Sequence, residues 1–375
     1  MLIGIPKEIK NHEYRVGLTP SSVREATAHG HDVIIETNAG AGIGCSNDDY
    51  VAAGAKIVDT AAEIFAKSEM IVKVKEPQKV EYEQLREGQL LFTYLHLAPD
   101  PEQTEGLIKS GVTAIAYETV TDKNGGLPLL APMSEVAGRM APQVGAAALQ
   151  KANGGRGMLL GGVPGVAPAK VVVIGGGVVG TNAARIAAGM GADVIILDKN
   201  VKRLTYIDDV FGPRIKTQYA TIDDTEALVY DADMVVGAVL IPGAAAPKLI
   251  HKDQLSKMKP GSVIVDVAID QGGCFETSKA TTHQDPVYII DDVVHYCVAN
   301  MPGGVARTST IALNNATLPY GIALANKGVQ AMLENEHLLR GLNMHKGKIT
   351  YKAIHDDLGQ QLGLDYQDPR EALQA

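Results

Sequence analysis

Residues 171–180 have the sequence VVVIGGGVVG, in which four β-branched residues precede a cluster of glycines. The β-branched run predicts a buried strand, and Gly175, Gly177 and Gly180 complete the pattern G-x-G-x-x-G. The small residues at 181–190 predict a helix, and a second apolar run at 193–197 ends at Asp198. A strand, a glycine turn, a helix, a strand and an acid in this order predict a Rossmann unit.

The glycine positions also indicate what the turn would hold. Gly175 permits a tight turn, Gly177 lets the backbone approach a pyrophosphate, and Gly180 lets the helix pack closely on the strand. The free N–H groups of the helix N-terminus favour an anion. Asp198, 18 residues after Gly180, is placed to bind both hydroxyls of an adenosine ribose and to repel a 2′-phosphate. The sequence therefore predicts a dinucleotide site that prefers NAD to NADP, although a glycine-rich turn without a ligand has the same pattern.

Composition and charge favour a two-core enzyme over a nucleic-acid or membrane protein. The 375 residues are 46% hydrophobic, which is enough for two cores, and the net charge is −9 without a basic stripe. The most apolar stretch, 158–180, is interrupted by prolines and by Lys170, so it does not predict a membrane span. The N-terminus lacks the layout of a signal peptide, and we expect a cytoplasmic protein.

The cysteines and histidines predict no metal site and no disulfide framework. Cys45, Cys274 and Cys297 are scattered and odd in number, which indicates free thiols in a reducing compartment. The ten histidines show no spacing typical of metal ligands.

Strand and helix patterns alternate from the N-terminus, which predicts an α/β fold. We expect two Rossmann-like domains with largely parallel sheets and an active-site cleft between them. The substrate domain is predicted to be discontinuous, residues 1–130 plus 306–375, around a dinucleotide domain at 131–305. We also expect an interruption near Pro319 in the helical segment 308–333, and loosely ordered residues at 365–375.

Four polar side chains lie near the predicted carboxyl ends of strands, where parallel sheets present functional groups. They are Arg15, Lys75, His96 and Asp270. Each alone is also explained as a solvated surface charge or a capping residue. We expect the four to form a site, two from each side of the cleft.

Several long motifs, in order, resemble the alanine dehydrogenase/pyridine nucleotide transhydrogenase family over residues 1–363. The segments that carry the resemblance are IPKE at 5–8, EYRV at 13–16, VKEP at 74–77, TYLH at 93–96, PMSEVAGR at 132–139, DVAIDQGG at 266–273 and NMPG at 300–303. The resemblance implies reversible oxidation of L-alanine by NAD and water to pyruvate, ammonium and NADH.

The resemblance also implies roles for the four polar residues. Arg15 would bind the substrate carboxylate, and Lys75 would stabilise negative charge on the C2 oxygen. His96 and Asp270 would be the acid/base pair, with the division of proton transfers between them open. Met133 would supply an apolar contact beside the substrate.

Further cofactor contacts are implied at the dinucleotide turn and at loops of the same domain. Asn300 would position Asp270 or the nicotinamide amide. The full predicted set is Ser134, Gly175, Gly177, Val178, Val179, Gly180, Asp198, Val239, Leu240, Val267, Ala268, Ile269, Asp270, Val298, Ala299, Asn300 and Met301. Arg203 is left out of this set because the residue type near the adenosine varies between members.

Three other functions are compatible with the fold. One is the NAD(H)-binding component of a proton-translocating transhydrogenase, which needs no amino-acid site. Another is a non-catalytic NAD-binding relative, and a third is an amine dehydrogenase acting on a larger amino acid. The presence of Arg15, Lys75, His96 and Asp270 disfavours the first two.

Self-association is expected as well. The small residues of segment 138–148 would suit either packing within the domain or contact between helices of two subunits. The resemblance implies a homohexamer, a trimer of dimers.

Overall fold

A computed structural model describes residues 1–239 and 247–374. The chain forms two compact units. Unit 1 contains Met1–Met133 and Val305–Ala375, and unit 2 contains Ser134–Gly304. Each unit is built on its own sheet.

Unit 1 contains an eight-stranded sheet in the order β15-β14-β6-β5-β4-β1-β2-β3. Its strands are β1 (Leu2–Ile5), β2 (Asp32–Glu36), β3 (Lys56–Val58), β4 (Met70–Val72), β5 (Leu90–Thr93), β6 (Thr113–Ala116), β14 (Leu342–His345) and β15 (Lys348–Ile349). Strands β1 to β6 are parallel, whereas β14 and β15 are antiparallel to their neighbours. Since β1 lies between β2 and β4, the chain changes direction across the sheet there, which creates a topological switch point.

Helices connect the strands of unit 1. They are α1 (Pro20–Ala28), α2 (Asn47–Ala52), α3 (Ala61–Lys67), α4 (Lys79–Tyr82), α5 (Pro101–Ser110), α10 (Ala306–Lys327), α11 (Gln330–Glu334), α12 (Glu336–Leu339), α13 (Lys352–Ile354), α14 (Gln360–Leu362) and α15 (Pro369–Gln374). Thr19, Ser46, Thr60 and Asp100 cap α1, α2, α3 and α5 by accepting backbone N–H bonds. Apolar residues of the strands and helices form a continuous core that includes Leu91, Leu107 and Met344.

Unit 2 contains a seven-stranded sheet in the order β12-β13-β11-β10-β7-β8-β9. Its strands are β7 (Lys170–Ile174), β8 (Asp193–Asp198), β9 (Lys216–Tyr219), β10 (Met234–Gly237), β11 (Val263–Asp266), β12 (Val287–Ile290) and β13 (Val293–Tyr296). All pairings are parallel except that of β12 with β13. The switch point lies between β7 and β10, and the fully buried segments at 171–174 and 234–237 form its centre.

The helices of unit 2 are α7 (Val178–Gly189), α8 (Val201–Phe211) and α9 (Ile222–Tyr230). A further helix, α6 (Ala131–Ala148), begins just before the boundary between the units and runs on into unit 2. The predicted α/β class with two largely parallel sheets is confirmed.

Two local expectations are wrong. Helix α10 runs without interruption through Pro319. A proline has no N–H to donate to the carbonyl four residues earlier, here that of Asn315. Because Asn315 and Pro319 both lie on the exposed face of α10, this carbonyl is open to water. Residues 369–374 form α15, in which Ala372 is buried, so the C-terminal segment is not loosely ordered there.

Within the described residues, we find no helix with the length and apolar character needed to span a membrane.

Candidate active site

Three of the predicted site residues follow neighbouring parallel strands of unit 1. Arg15 lies in the loop after β1, Lys75 three residues after β4, and His96 three residues after β5. Since β1, β4 and β5 are adjacent and parallel, these side chains lie at the same edge of the sheet, at its switch point.

Arg15 is almost fully buried and is held by a carboxylate. Its Nε and Nη2 donate to the two oxygens of Glu13 at 2.7 and 2.6 Å, and its backbone N–H donates to Glu13 Oε1 at 3.0 Å. Burial opposes the charge, but the hydrogen bonds and charge of Glu13 prevail and raise the Arg15 pKa. Nη1 lies 3.1 Å from the sulfur of Met133. The orientation of the guanidinium is therefore fixed, and Met133, which is predicted to lie beside the substrate, is in contact with Arg15.

Lys75 lies beside a second buried carboxylate, Glu76. The Lys75 ammonium is 3.7 Å from Glu76 Oε2, and the other oxygen of Glu76 is paired with Lys10. Burial raises the Glu76 pKa, but the positive charges of Lys75, His96 and Lys10 outweigh it and leave the pKa below its usual value. Glu76 therefore stays ionised and balances the cations around it.

His96 has a strained backbone and a half-exposed ring. Its φ of 47° is in the left-handed region, which costs a non-glycine residue about 1–3 kcal/mol. Its backbone N–H donates to Glu118 Oε1 at 2.7 Å, and its ring stacks on Tyr94 with centroids 5.7 Å apart. Nδ1 is 4.0 Å from Glu118 Oε1, and 38% of the side chain is exposed. The imidazole is thus oriented and still accessible.

The carboxylates that hold these residues are not among the predicted site residues. Glu13 belongs to the motif EYRV at 13–16, but only its hydrogen bonds to Arg15 in the structure reveal that it holds the guanidinium. Glu118 follows β6 by two residues, so the rule that functional groups follow parallel strands would have found it.

In unit 2, the turn after β7 has the geometry that the glycine pattern predicts. Gly175 has a φ of 105°, which favours glycine, and α7 begins directly after Gly177. A Cβ at Gly180 would overlap the carbonyl oxygen of Gly175, whereas a Cβ at Gly177 would meet no atom of the described residues within 4 Å. No side chain caps α7. The first N–H groups of α7 therefore suit an anionic group, and the space above Gly177 admits one.

Asp198 ends β8 and is attached to the same turn. Its Oδ2 accepts the N–H of Gly176 at 2.6 Å, and its Oδ1 accepts the N–H of Asn200 at 2.7 Å. Arg203 donates from Nε to the carbonyl of Gly176 and from Nη2 to Thr181 Oγ1 at 2.6 Å. Arg203, left out of the predicted set, is therefore part of this turn.

Most other predicted cofactor residues follow strands of the unit 2 sheet. Val239 follows β10, and Val267, Ala268, Ile269 and Asp270 form a 3₁₀ turn after β11. Asp266 is fully buried. Its carboxylate accepts hydrogen bonds from the N–H of Ala268, within this turn, and from the N–H of Cys274, which follows the turn. Asp270 itself is exposed.

The loop after β13 contains Val298, Ala299, Asn300 and Met301. Asn300 has a φ of 63°, so a second predicted site residue has a left-handed backbone. Since β7, β10, β11 and β13 are parallel neighbours, these loops lie at one edge of the sheet. Val178 and Val179 start α7, and Ser134 is half-buried in α6. Leu240 lies outside the described residues.

The prediction that two of the four polar residues come from each side of the cleft is wrong. Arg15, Lys75 and His96 all belong to unit 1, and only Asp270 belongs to unit 2. In the described parts of the chain, no group of three or more His, Cys, Asp or Glu side chains is arranged to hold a metal ion.

Two consecutive parts of the chain match the two domains of one known family, and the second match continues past unit 2 into the C-terminal part of unit 1. Residues 4–137 match the N-terminal domain and residues 141–352 the C-terminal domain of the Alanine dehydrogenase/PNT family. The alanine dehydrogenase of Halomonas elongata is 60% identical over 367 residues, which cover 98% of either chain.

Two solved structures are similar as well. An L-alanine dehydrogenase is 52% identical, with a TM-score of 0.93 over 96% of this chain and 99% of that one. A transhydrogenase from Sinorhizobium meliloti is 24% identical, with a TM-score of 0.80 over 94% of this chain and 100% of that one, and shares the fold. Both domain matches and the high identity over nearly the whole length lead to one conclusion: the chain belongs to the alanine dehydrogenase/pyridine nucleotide transhydrogenase family.

Proposed function

We propose that the chain catalyses the reversible oxidative deamination of L-alanine by NAD and water to pyruvate, ammonium and NADH. The observation that carries the proposal is one edge of the unit 1 sheet, where a clamped arginine, a buried lysine and an accessible histidine follow three neighbouring parallel strands. A nucleotide-binding protein without an amino-acid substrate has no need of this group. Unit 1 is accordingly the proposed substrate domain and unit 2 the nucleotide-binding domain.

The family implies a nicotinamide nucleotide, and the turn after β7 fits one. The uncapped N-terminus of α7 and the open space at Gly177 suit a pyrophosphate. When bound, the nicotinamide accepts a hydride from the substrate carbon. The contacts that we propose for it are Ser134, Gly175, Gly177, Val178, Val179, Gly180, Asp198, Val239, Leu240, Val267, Ala268, Ile269, Asp270, Val298, Ala299, Asn300 and Met301.

NAD is the proposed nucleotide, because Asp198 places a negative charge beside the turn. A ribose with two hydroxyls would donate to this carboxylate, and a 2′-phosphate would be repelled by it. Arg203, the nearby cation, donates to Gly176 and Thr181 and lies 4.7 Å from the ring of Tyr206. The Arg203 guanidinium therefore already has partners within unit 2 and is not needed to bind a 2′-phosphate.

Arg15 is the proposed ligand of the substrate carboxylate. Glu13 occupies the Nε and Nη2 edge of the guanidinium and fixes its orientation. A planar donor group held in this way recognises a carboxylate with defined geometry, which a lysine would not do. Met133, in contact with Nη1, would set the apolar side of the substrate pocket.

Lys75, His96 and Asp270 supply the proposed proton and charge chemistry. The Lys75 ammonium would stabilise negative charge that develops on the C2 oxygen. His96 and Asp270 would take the proton that leaves the substrate ammonium and would activate water. Glu118, 4.0 Å from Nδ1 of His96, would stabilise the protonated imidazole. Asn300 is the proposed positioning residue for Asp270 or the nicotinamide amide.

We further propose that the protein works in the cytoplasm as a homohexamer. The three cysteines are free thiols, as is usual in a reducing compartment, and the family resemblance supports the assembly. Sedimentation as a monomer at micromolar concentration would contradict the assembly.

The experiment is the growth of the NADH absorbance band with purified protein, NAD and L-alanine at mildly alkaline pH. Controls replace NAD by NADP and L-alanine by D-alanine, L-serine or glycine. Reduction with NAD and L-alanine, and little with the controls, is the expected result. Absence of reduction in a protein that still binds NADH would favour a transhydrogenase-like or non-catalytic role instead.

A further inference from the structure

Lys73, at the end of β4, is a buried cation for which the proposed chemistry has no use. Its ammonium donates to Glu8 Oε2 at 3.0 Å and to Glu81 Oε1 at 2.7 Å. The side chain of Lys73 is 0% exposed, and those of Glu8 and Glu81 are each 2% exposed. The three charges therefore form an ion triad that is removed from water.

Stability alone is a poor reason for such a triad. Desolvation of buried ions offsets most of their attraction, and well-packed apolar residues of similar volume are often as stable. The contacts of Glu8 and Lys73 with the backbone offer another reason.

Glu8 connects the ion triad to the backbone of the proposed substrate ligand Lys75. Its Oε1 accepts the N–H of Val74 at 2.7 Å and the N–H of Lys75 at 3.3 Å. Its other oxygen, Oε2, is the one that accepts from Lys73. A single carboxylate from the loop after β1 thus holds the loop after β4.

Two hydroxyls hold the same segment from its carbonyl side. Thr93 Oγ1 donates to the carbonyl of Lys75 at 3.0 Å, and the Tyr117 hydroxyl donates to the carbonyl of Lys73 at 3.0 Å. The backbone of residues 73–75 is therefore bonded through both its N–H and its C=O groups. Among the described residues, by contrast, the ammonium of Lys75 has one charged partner, Glu76, at 3.7 Å.

We propose that Glu8 is a positioning residue for Lys75: Lys73 holds one oxygen of the Glu8 carboxylate, and the other oxygen fixes the backbone from which the Lys75 ammonium extends. The inference rests on the proposed function, in which Lys75 faces the substrate oxygen. Because Arg15 lies in the same β1 loop as Glu8, this contact also ties together the loops that bear the two proposed substrate cations.

The chain offers a matched pair of variants for the test. Glu8→Gln and Glu81→Gln make the same chemical change on two carboxylates that share Lys73. Only Glu8 contacts the Val74 and Lys75 amides, whereas the second oxygen of Glu81 accepts the N–H of Gln78. The side chain of Glu8→Gln has one acceptor oxygen, where that of Glu8 has two. In either orientation of the new amide, therefore, either Lys73 or the Val74 and Lys75 amides lose their acceptor. Glu8→Ala removes both.

Two readouts are measured on folded protein, checked by circular dichroism. The first is hydrogen exchange in peptides covering residues 70–78 of the free protein, which needs no activity. We expect faster exchange at residues 74 and 75 in Glu8→Ala and wild-type exchange at these residues in Glu81→Gln. The second is the reduction of pyruvate, where kcat/KM should fall roughly 10- to 100-fold in the Glu8 variants and less than about 3-fold in Glu81→Gln. The Kd for NADH should not change.

Wild-type exchange at residues 74 and 75 in Glu8→Ala would overturn the inference. So would an equal loss of kcat/KM in Glu81→Gln, because the triad would then be structural only. If Glu8→Ala fails to fold, the kcat/KM of Glu8→Gln compared with that of Glu81→Gln decides, because either orientation of the new amide breaks the connection between Lys73 and the Val74 and Lys75 amides. A wild-type protein that does not reduce pyruvate would refute the proposed function, and the exchange data would still report on Glu8.

Discussion

Two alanine substitutions in the glycine turn of unit 2 should separate ligand binding from stability. Gly180 packs against the backbone, and a Cβ there would overlap the Gly175 carbonyl oxygen and lie 3.0 Å from the Gly175 carbonyl carbon and 3.1 Å from Val173 Cγ1. Gly177 has a φ of −68°, which alanine adopts freely, and within the part of the chain that the structure describes its Cβ would meet no atom within 4 Å. The same mutation therefore has different consequences three residues apart.

The magnitudes follow from these contacts. Overpacking costs about 1–3 kcal/mol, and a clash with backbone places Gly180→Ala at about 3 kcal/mol or more of lost unfolding free energy. Gly177→Ala should change the unfolding free energy by about 1 kcal/mol or less, the scale of a weakened helix cap. If a pyrophosphate approaches Gly177, the new methyl group would displace it from one charge-assisted hydrogen bond. The Kd for NADH would then rise roughly 10- to 150-fold.

Urea unfolding followed by circular dichroism gives the stabilities, and fluorescence titration gives the Kd for NADH. NADH binding of Gly177→Ala equal to that of the wild type would refute the placement of the pyrophosphate at this turn. Wild-type stability of Gly180→Ala would refute the packing of α7 on β7 as described.

Three further changes test other parts of the site. His96→Ala should lower turnover roughly 10²- to 10⁴-fold while NADH fluorescence titration stays unchanged, because His96 belongs to unit 1; a joint loss of NADH binding would indicate a structural role. Asp198→Ala should weaken NADH binding and reduce the preference for NAD over NADP in steady-state kinetics; unchanged cofactor kinetics would remove its ribose role. The Glu76 pKa lies below its ordinary value of 4.5, so its ionised form stabilises the fold above that pH and the contribution is lost as the pH falls. Glu76→Gln should therefore be about 1 kcal/mol less stable at pH 7, with a gap that closes in acid; a gap that is constant with pH would contradict this sign.

Much of the fold could be predicted because the patterns are local. The β-branched run at 171–174 and the glycines after it specify β7, its turn and α7 within a single segment, and each has a steric reason. The parallel sheets follow from the alternation of strands and helices. The carboxyl-end rule also selected Arg15, Lys75 and His96 without any knowledge of distances, but it did not predict that all three belong to the same sheet.

The rest depends on contacts between distant residues. Strands β14 and β15 are short and mix apolar with polar residues, and β14 is specified by its pairing with β6, more than 220 residues earlier. Helix α10 keeps Pro319 because that residue lies on an exposed face. Glu8, Lys73 and Glu81 are ordinary charged residues in the sequence, and only their burial against one another indicates a role.

Whether the hydrogen at C2 of L-alanine passes to the nicotinamide decides the proposed reaction. The protein would be incubated with NAD and L-alanine deuterated at C2, and the NADH formed would be analysed by proton NMR and mass spectrometry. Our account predicts one deuterium on the C4 carbon of the nicotinamide for each pyruvate formed. Pyruvate formed without deuterium in NADH, or no reduction of NAD at all, would contradict it.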